Sequence, residues 1–213
     1  MDPKALRQAF GTFVTGVTVI TTRDSDGTPR GMTANSFTSV SLDPPLLLVC
    51  VGKSAGSYPV FSKAESFAVN ILHEGQTVVS GTFASKTADK FQDVTYDDVH
   101  TGAPVLTDNL AWFDCSLHQK VDAGDHVILI GQVQAFGTST AAPLGFCRGT
   151  YASVKDPLPS GWLETQGMVV SYLVETPAGV LLREDGNGGY VLPRVSRRRA
   201  EANPLFEGKT GLK

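Results

Sequence analysis

The sequence predicts a β-dominated α+β fold, a mostly antiparallel β-barrel with short peripheral helices. Residues 46–51 and 67–72 are continuous apolar runs that read as strands buried on both faces. Two long strand-like segments, 110–121 and 126–136, are joined only by Asp122-Ala123-Gly124-Asp125, as in a hairpin. The helical stretches between strands are too short to be the crossover helices of a parallel α/β fold.

Asp2 can cap a first helix with Pro3 at its first position, and Leu6, Phe10 and Phe13 then share one face until a stop near Gly16. Residues 17–22 read as a strand, Asp24-Ser25-Asp26-Gly27 as a turn, and residues 31–40 as the returning strand of a hairpin. Pro44-Pro45 introduces the strand at 46–51, and residues 57–63 have room for only a short helix. Two helical stretches follow the strand at 67–72, at 76–80 and 84–91, and lead into a polar loop over 92–101. A strand through 146–151 would close the barrel, so the first domain is 1–154. Pro157, Pro159 and Gly161 mark 155–166 as a linker, and 167–213 reads as a small β extension with strands at 168–174, 180–183 and 190–195. Residues 1–154 hold ten basic and fourteen acidic side chains against eight and seven in 155–213, a modest shift that supports the boundary.

With 213 residues, 41% hydrophobic and 18% charged, the chain can bury an ordinary core. A formal net charge of -3 points to neither nucleic acid nor an anionic membrane surface, which leaves small molecules and proteins as partners. No apolar run approaches the roughly 18 residues of a membrane span, and Met1-Asp2-Pro3-Lys4 lacks the order of a signal peptide, so the expected location is cytoplasmic. Cys50, Cys115 and Cys147 are odd in number and far apart, as reduced buried thiols would be, and their spacing builds no metal site.

Three motifs have ordinary explanations. Gly52-Lys53-Ser54-Ala55-Gly56 matches a nucleophile elbow, which would make Ser54 the nucleophile of a hydrolase, but Pro59 interrupts the long helix such an elbow needs. His73-Glu74 has Thr77 where a zinc-binding pair would place its second histidine, and Gly186-Asn187-Gly188-Gly189 lacks the following helix of a phosphate loop. The segment 31–41 differs, because it sets hydroxyls, an amide and small side chains along a strand, suited to a flat heterocycle rich in carbonyls and ring nitrogens. An exposed edge strand with turn-forming serines would look similar. Lys53 and Ser57 add an ammonium and a hydroxyl that could meet a phosphate, Phe83-Ala84 and Lys90-Phe91 add apolar and basic groups, and Asn70 needs a partner inside its strand.

Residues 15–22 (TGVTVITT), 31–42 with Asp43-Pro44-Pro45, 67–72 (FAVNIL) and Gly124-Asp125-His126 before an apolar strand resemble the flavin reductase family, which includes the reductase components of two-component aromatic monooxygenases. The resemblance runs from about Leu6 to Val154. It implies a split β-barrel, FMN-binding and Greek-key-like, that works as a homodimer. It also implies FMN or FAD as cofactor, NADH or NADPH as hydride donor, and reduced flavin delivered to a partner oxygenase or other acceptor. Carried over by position, Thr33, Ala34, Asn35 and Ser36, with Ser39, Val40 and Ser41, would contact the isoalloxazine and ribityl parts. Lys53 and Ser57 would face the phosphate, Phe83 and Ala84 would complete the pocket, and His126 would be the catalytic histidine near the nicotinamide. Tyr151 would stack on an adenine or nicotinamide ring, or else seal the barrel.

Hydride transfer needs two rings stacked in attack geometry more than side-chain acid-base chemistry, so the lack of a triad fits. A non-catalytic flavin-binding or partner-docking module on the same barrel is the alternative. The segment after Val154 lies outside the family pattern. Its strands, with Gly189-Tyr190-Val191-Leu192-Pro193, resemble the opening of a Nudix domain, but Arg197-Arg198-Arg199-Ala200-Glu201 is basic where that domain's metal-binding glutamates would lie.

Overall fold

In the computed structural model, which describes residues 1–87, 89–154 and six short strands between 169 and 196, Asp2 caps helix α1 (Pro3–Phe10) by accepting from the Lys4 amide at 2.9 Å. The helix stops at Gly11, earlier than the expected stop near Gly16, because Thr15 and Gly16 (strand β1) pair instead with Phe146 and Gly145. Strand β2 (Thr18–Arg23) turns through Gly27, at φ +83°, into β3 (Pro29–Ala34). Next come β4 (Thr38–Leu42), β5 (Pro45–Gly52), helix α2 (Tyr58–Phe61) and β6 (Ser66–Ile71). Helix α3 (Thr77–Ala84) precedes β7 (Tyr96–Asp98), β8 (Pro104–Leu106), β9 (Ala111–Ala123), β10 (His126–Thr138), β11 (Leu144–Cys147) and β12 (Thr150–Ser153).

The returning strand expected over 31–40 divides at Asn35-Ser36-Phe37. Its first half pairs with β2 and its second with β5. These halves end up as the two edges of a seven-stranded antiparallel sheet ordered β3-β2-β6-β9-β10-β5-β4. Because both edges belong to one short stretch of chain, the sheet curls until they meet. The Ser36 hydroxyl makes the join: it accepts from the Cys50 amide at 2.9 Å and donates to the Cys50 carbonyl at 3.2 Å. The strands β9 and β10 bend around the barrel through irregular register at Ile130/Gly131 and Val133/Ala135.

Inside the barrel Ile20, Val49, Val51, Phe67, Val69 and Leu129 form one core, with Phe61 of α2 packed into it. Gly131 is required there, since a Cβ would lie 2.6 Å from the Phe67 ring. A second core, of Val17, Val19, Leu72, Phe83, Leu106 and Leu144, lies on the other side of β2. Burial on both faces, as expected from the apolar runs, holds for β6, whose residues from Phe67 to Asn70 are all buried. In β5 only Leu47, Val49 and Val51 point inward, and Leu46, Leu48 and Cys50 are half-buried.

Two buried polar groups tie the hairpin of β7 and β8 to the sheet. The Asn70 amide donates to the Val19 carbonyl at 3.1 Å, and its oxygen accepts from the Leu106 amide at 2.8 Å. Asp114 accepts from the backbone amides of His100 at 2.8 Å and Thr101 at 2.9 Å, and from the Thr101 hydroxyl.

Other expectations change in detail. The second helical stretch at 84–91 does not form: Ser85 is extended, and its hydroxyl bonds locally to the Thr82 carbonyl and the Thr87 amide, which competes with helix. The polar loop at 92–101 contains β7, paired with β8. The strand expected over 146–151 is the end of a hairpin, β11 to β12, turned by Arg148 and Gly149 at φ 49° and 84°. It pairs with β1 in a separate three-stranded sheet, so the barrel is closed by Ser36 instead. Cys115 is buried, with its thiol pushed up to about 12, whereas Cys50 and Cys147 are only half-buried.

By its contacts the chain forms two compact units, Met1–Lys155 and Asp156–Lys213. In the second, β13 (Val169–Ser171) pairs with the last strand, β18 (Arg194–Ser196). Between them β14 (Glu175–Thr176) pairs with β15 (Gly179–Val180), and β16 (Arg183–Glu184) with β17 (Tyr190–Val191). The expected linker and the segment Arg197 to Glu201 fall outside the described residues. Among the described residues no helix is long and apolar enough to cross a membrane.

Replacing Asp114 by Ala leaves two backbone N–H groups and a hydroxyl without their acceptor. The expected loss is about 3 kcal/mol, read from urea unfolding. A loss below about 1 kcal/mol would mean that water satisfies these groups.

Candidate functional site

The site begins with a missing side chain. A Cβ on Gly31 would sit 2.6 Å from the Phe83 ring, so only glycine lets α3 lie this close to β3. The Thr33 hydroxyl then donates to the Ser80 carbonyl at 2.6 Å. Lys90 fastens the same junction from below, its ammonium donating to the carbonyls of Phe83 at 2.8 Å and Gly31 at 3.3 Å. Burial holds that ammonium below the usual lysine range.

Above the junction is an open pocket of about 210 Å³, lined by Val17, Thr33, Ala34, Asn35, Ser80, Ala84, Phe146 and Tyr151. Tyr151 arrives on β12 and donates its phenol to the Ser80 hydroxyl at 2.9 Å, while its ring meets Phe146 edge-on at 5.8 Å. Thr33, Ala34, Asn35, Ala84 and Tyr151 were all expected in the site, and the fold brings them together. Small side chains, hydroxyls, one amide and two aromatic rings suit a planar heterocycle with polar edges.

A second cluster lies where β5 ends beside the start of β10, Gly52 opposite His126. Lys53 donates its backbone N–H to the Asp125 carbonyl at 2.9 Å and its ammonium to Asp122 at 2.7 Å. His126 Nδ1 meets the Asp125 carboxylate at 2.7 Å, and its Nε2 would lie 3.5 Å from a Cβ on Gly52. The ammonium holds the Asp122 carboxyl below its ordinary range, and the imidazole does the same to Asp125. Because Ser36 bonds Cys50 while Thr38 pairs with Leu48, the register sets Asn35 on the Gly52 side of the seam.

The remaining expected residues fall elsewhere. Both hydrogen bonds of the Ser36 hydroxyl go to Cys50, so its side chain serves the seam. Ser39, Val40 and Ser41 line the edge strand β4, with Ser39 and Val40 exposed. Ser57 begins the four-residue α2 and makes no side-chain cap. The Phe83 ring is core, 1% exposed, so at that end of α3 Ala84 is the pocket residue. Ser54 follows an antiparallel strand and precedes this short helix, which is not the setting of a nucleophile elbow.

Sequence reasoning missed Val17, Ser80 and Phe146 as lining residues, and Asp122 and Asp125 as partners of Lys53 and His126. Ser80 carries a detectable signal, a hydroxyl three residues before Phe83 on one helical face. A larger groove of about 420 Å³ between Thr22–Ser25 and Lys63–Ser66 contains no expected residue. Its Arg23 is already held by Gly102, Gly27 and Asp98, so the smaller pocket is the better candidate.

The sequence pattern of the flavin reductase like domain matches residues 10–155. The reductase subunit of stachydrine N-demethylase from Rhizobium meliloti is 53% identical over 150 residues, 70% of this chain and 65% of that protein. The reductase component of the flavin-dependent trigonelline monooxygenase of Acinetobacter baylyi is 41% identical over 206 residues, 96% of this chain and 66% of that protein. That alignment must run well past residue 155, so the extension has a counterpart in this relative. The chain thus spans about two thirds of these relatives, and 48% of a further one from Rhizobium meliloti. Among solved structures, the NADH:FAD oxidoreductase SgcE6 of Streptomyces globisporus, in complex with NAD and FAD fragments, is 38% identical with a TM-score of 0.69, over 75% of this chain and 98% of that one.

Proposed function

The chain belongs to the flavin reductase like domain family, and from that premise we propose that it oxidises NADH or NADPH by hydride transfer to FMN or FAD. The reduced flavin would pass to an oxygenase or other acceptor. The observation that carries this reading is the pocket of Thr33, Ala34, Asn35, Ser80, Ala84 and Tyr151 at the barrel seam. Relatives named as reductase components of monooxygenases support the acceptor assignment. A cytoplasmic location accords with unpaired cysteines and a nicotinamide substrate.

The residues present fit a flavin. Asn35 is exposed at the pocket wall, and Thr33 and Ser80 offer hydroxyls beside it. When bound, the flavin supplies the ring that accepts the hydride. The chain supplies position: Tyr151 and Phe146 give flat apolar surface, and Lys53, at the end of β5, would give charge for the phosphate. With His126 Nδ1 donating to Asp125, Nε2 of the neutral ring becomes an acceptor for the carboxamide N–H of a nicotinamide. The second unit is proposed as an accessory extension of this domain.

We also infer a homodimer. At about 210 Å³ the pocket is smaller than the roughly 300–1,000 Å³ usual for cofactor sites, which leaves room for a second copy to complete it. Beside the seam, Leu46, Leu48, Cys50, Ile128 and Ile130 form an outward apolar face, half-buried in the single chain, with Val40 and Leu42 exposed on the adjoining strand β4. A second copy placed there would bury the other face of β5 and border the pocket, since Ser36 on this face follows Asn35.

Titrating FMN and FAD while following NADH and NADPH oxidation is expected to give flavin-dependent turnover. His126→Ala should raise KM for the nicotinamide about five- to tenfold, the value of one hydrogen bond, and change flavin KM less. Flavin binding without nicotinamide oxidation would favour the non-catalytic module. Sedimentation equilibrium should give twice the chain mass for the unaltered protein and the chain mass for Ile130→Lys; an unaltered protein that sediments as a monomer contradicts the dimer.

A further inference from the structure

We propose that Asp122 is a built-in competitor for the flavin phosphate, occupying the Lys53 ammonium when the site is empty and keeping the flavin exchangeable. The inference rests on reading Lys53 as the phosphate-facing residue. Its basis is the geometry at the end of β5. The Lys53 ammonium lies 2.7 Å from the Asp122 carboxylate, so the group assigned to the phosphate already holds an anion. Asp125, the other carboxylate of this turn, is engaged with His126 at 2.7 Å, so among the described residues Asp122 is the carboxylate paired with Lys53.

A phosphate and a carboxylate cannot share this ammonium without repelling each other, because like charges a few ångströms apart disfavour joint occupancy. The exchange requires no backbone movement. Lys53 is anchored by its own N–H to the Asp125 carbonyl at 2.9 Å, and the Asp122 side chain is 78% exposed, free to swing into water. The ion pair is therefore weak enough for phosphate to displace and present enough to reduce affinity. An exposed pair of this kind changes an equilibrium by about two- to fivefold. A protein that hands reduced flavin to another acceptor gains from such exchange, because the product must leave.

The competition acts only through the phosphate, which gives the test. Dissociation constants for FMN and for riboflavin, which lacks the phosphate, are measured by fluorescence quenching on the full chain and on Asp122→Asn, Lys53→Ala and the double variant. Asp122→Asn is expected to tighten FMN about two- to fivefold and to leave riboflavin unchanged. In the Lys53→Ala background the same change should have no effect on FMN. If Lys53→Ala weakens FMN but Asp122→Asn does nothing, weakens it, or shifts FMN and riboflavin equally, the competition is overturned and the Lys53 assignment stands. If Lys53→Ala moves FMN no more than riboflavin, the phosphate assignment itself falls, and the competition with it.

Discussion

The double hydrogen bond between the Ser36 hydroxyl and the backbone of Cys50 is the constraint on which the rest of the architecture turns. A sheet whose first and last strands are β3 and β4 would be an open ribbon with two free edges, and such edges invite pairing with other chains. Here the two strands are successive in the sequence, so the three residues between them must span both edges. Each bond to Cys50 contributes only about 1 kcal/mol. Their larger effect is geometric, since they fix which part of β5 pairs with β4 and which part meets the seam. Thr33, Ala34 and Asn35 become the wall of a pocket because the seam stops the chain from continuing as one flat strand.

A second layer of constraint brings α3 onto that wall. Gly31 permits the approach of Phe83, Lys90 clasps the two carbonyls, and Thr33 reaches the Ser80 backbone. Tyr151 closes from the opposite side through the Ser80 hydroxyl, so one serine joins three parts of the chain distant in sequence. Two polar groups away from the pocket serve structure: Asn70 and Asp114 hold the hairpin of β7 and β8 in place. Among the described residues the chemistry left at the surface is sparse, as suits the proposed hydride transfer, in which a cofactor would carry the electrons.

Much of the fold was legible because period and turn chemistry agree with tertiary pairing. The long hairpin of β9 and β10, the strand before Gly52 and the helix cap at Asp2 all follow from local signals. The errors have local causes too. Residues 31–40 alternate like a single strand, and nothing nearby shows that Ser36 bonds a residue fourteen positions later. The helical reading of 84–91 lost to the Ser85 hydroxyl, and 92–101 reads as loop because β7 is held by Phe91 packing on Tyr96 and by Arg23 pairing with Asp98. In the site, the 33–35 stretch, Ala84 and Tyr151 were found through the resemblance, whereas Ser80 and Asp122 matter through contacts that only the folded chain creates.

The central claim is that the flavin binds at the seam pocket and not in the larger groove near Lys63. Mapping backbone amide shifts by NMR as FMN is added distinguishes the two directly. The account predicts the largest changes at Thr33, Ala34, Asn35, Ser80, Ala84 and the Cys50 amide across the seam. Changes concentrated instead at Thr22, Arg23, Ser25, Lys63 and Glu65 would contradict it.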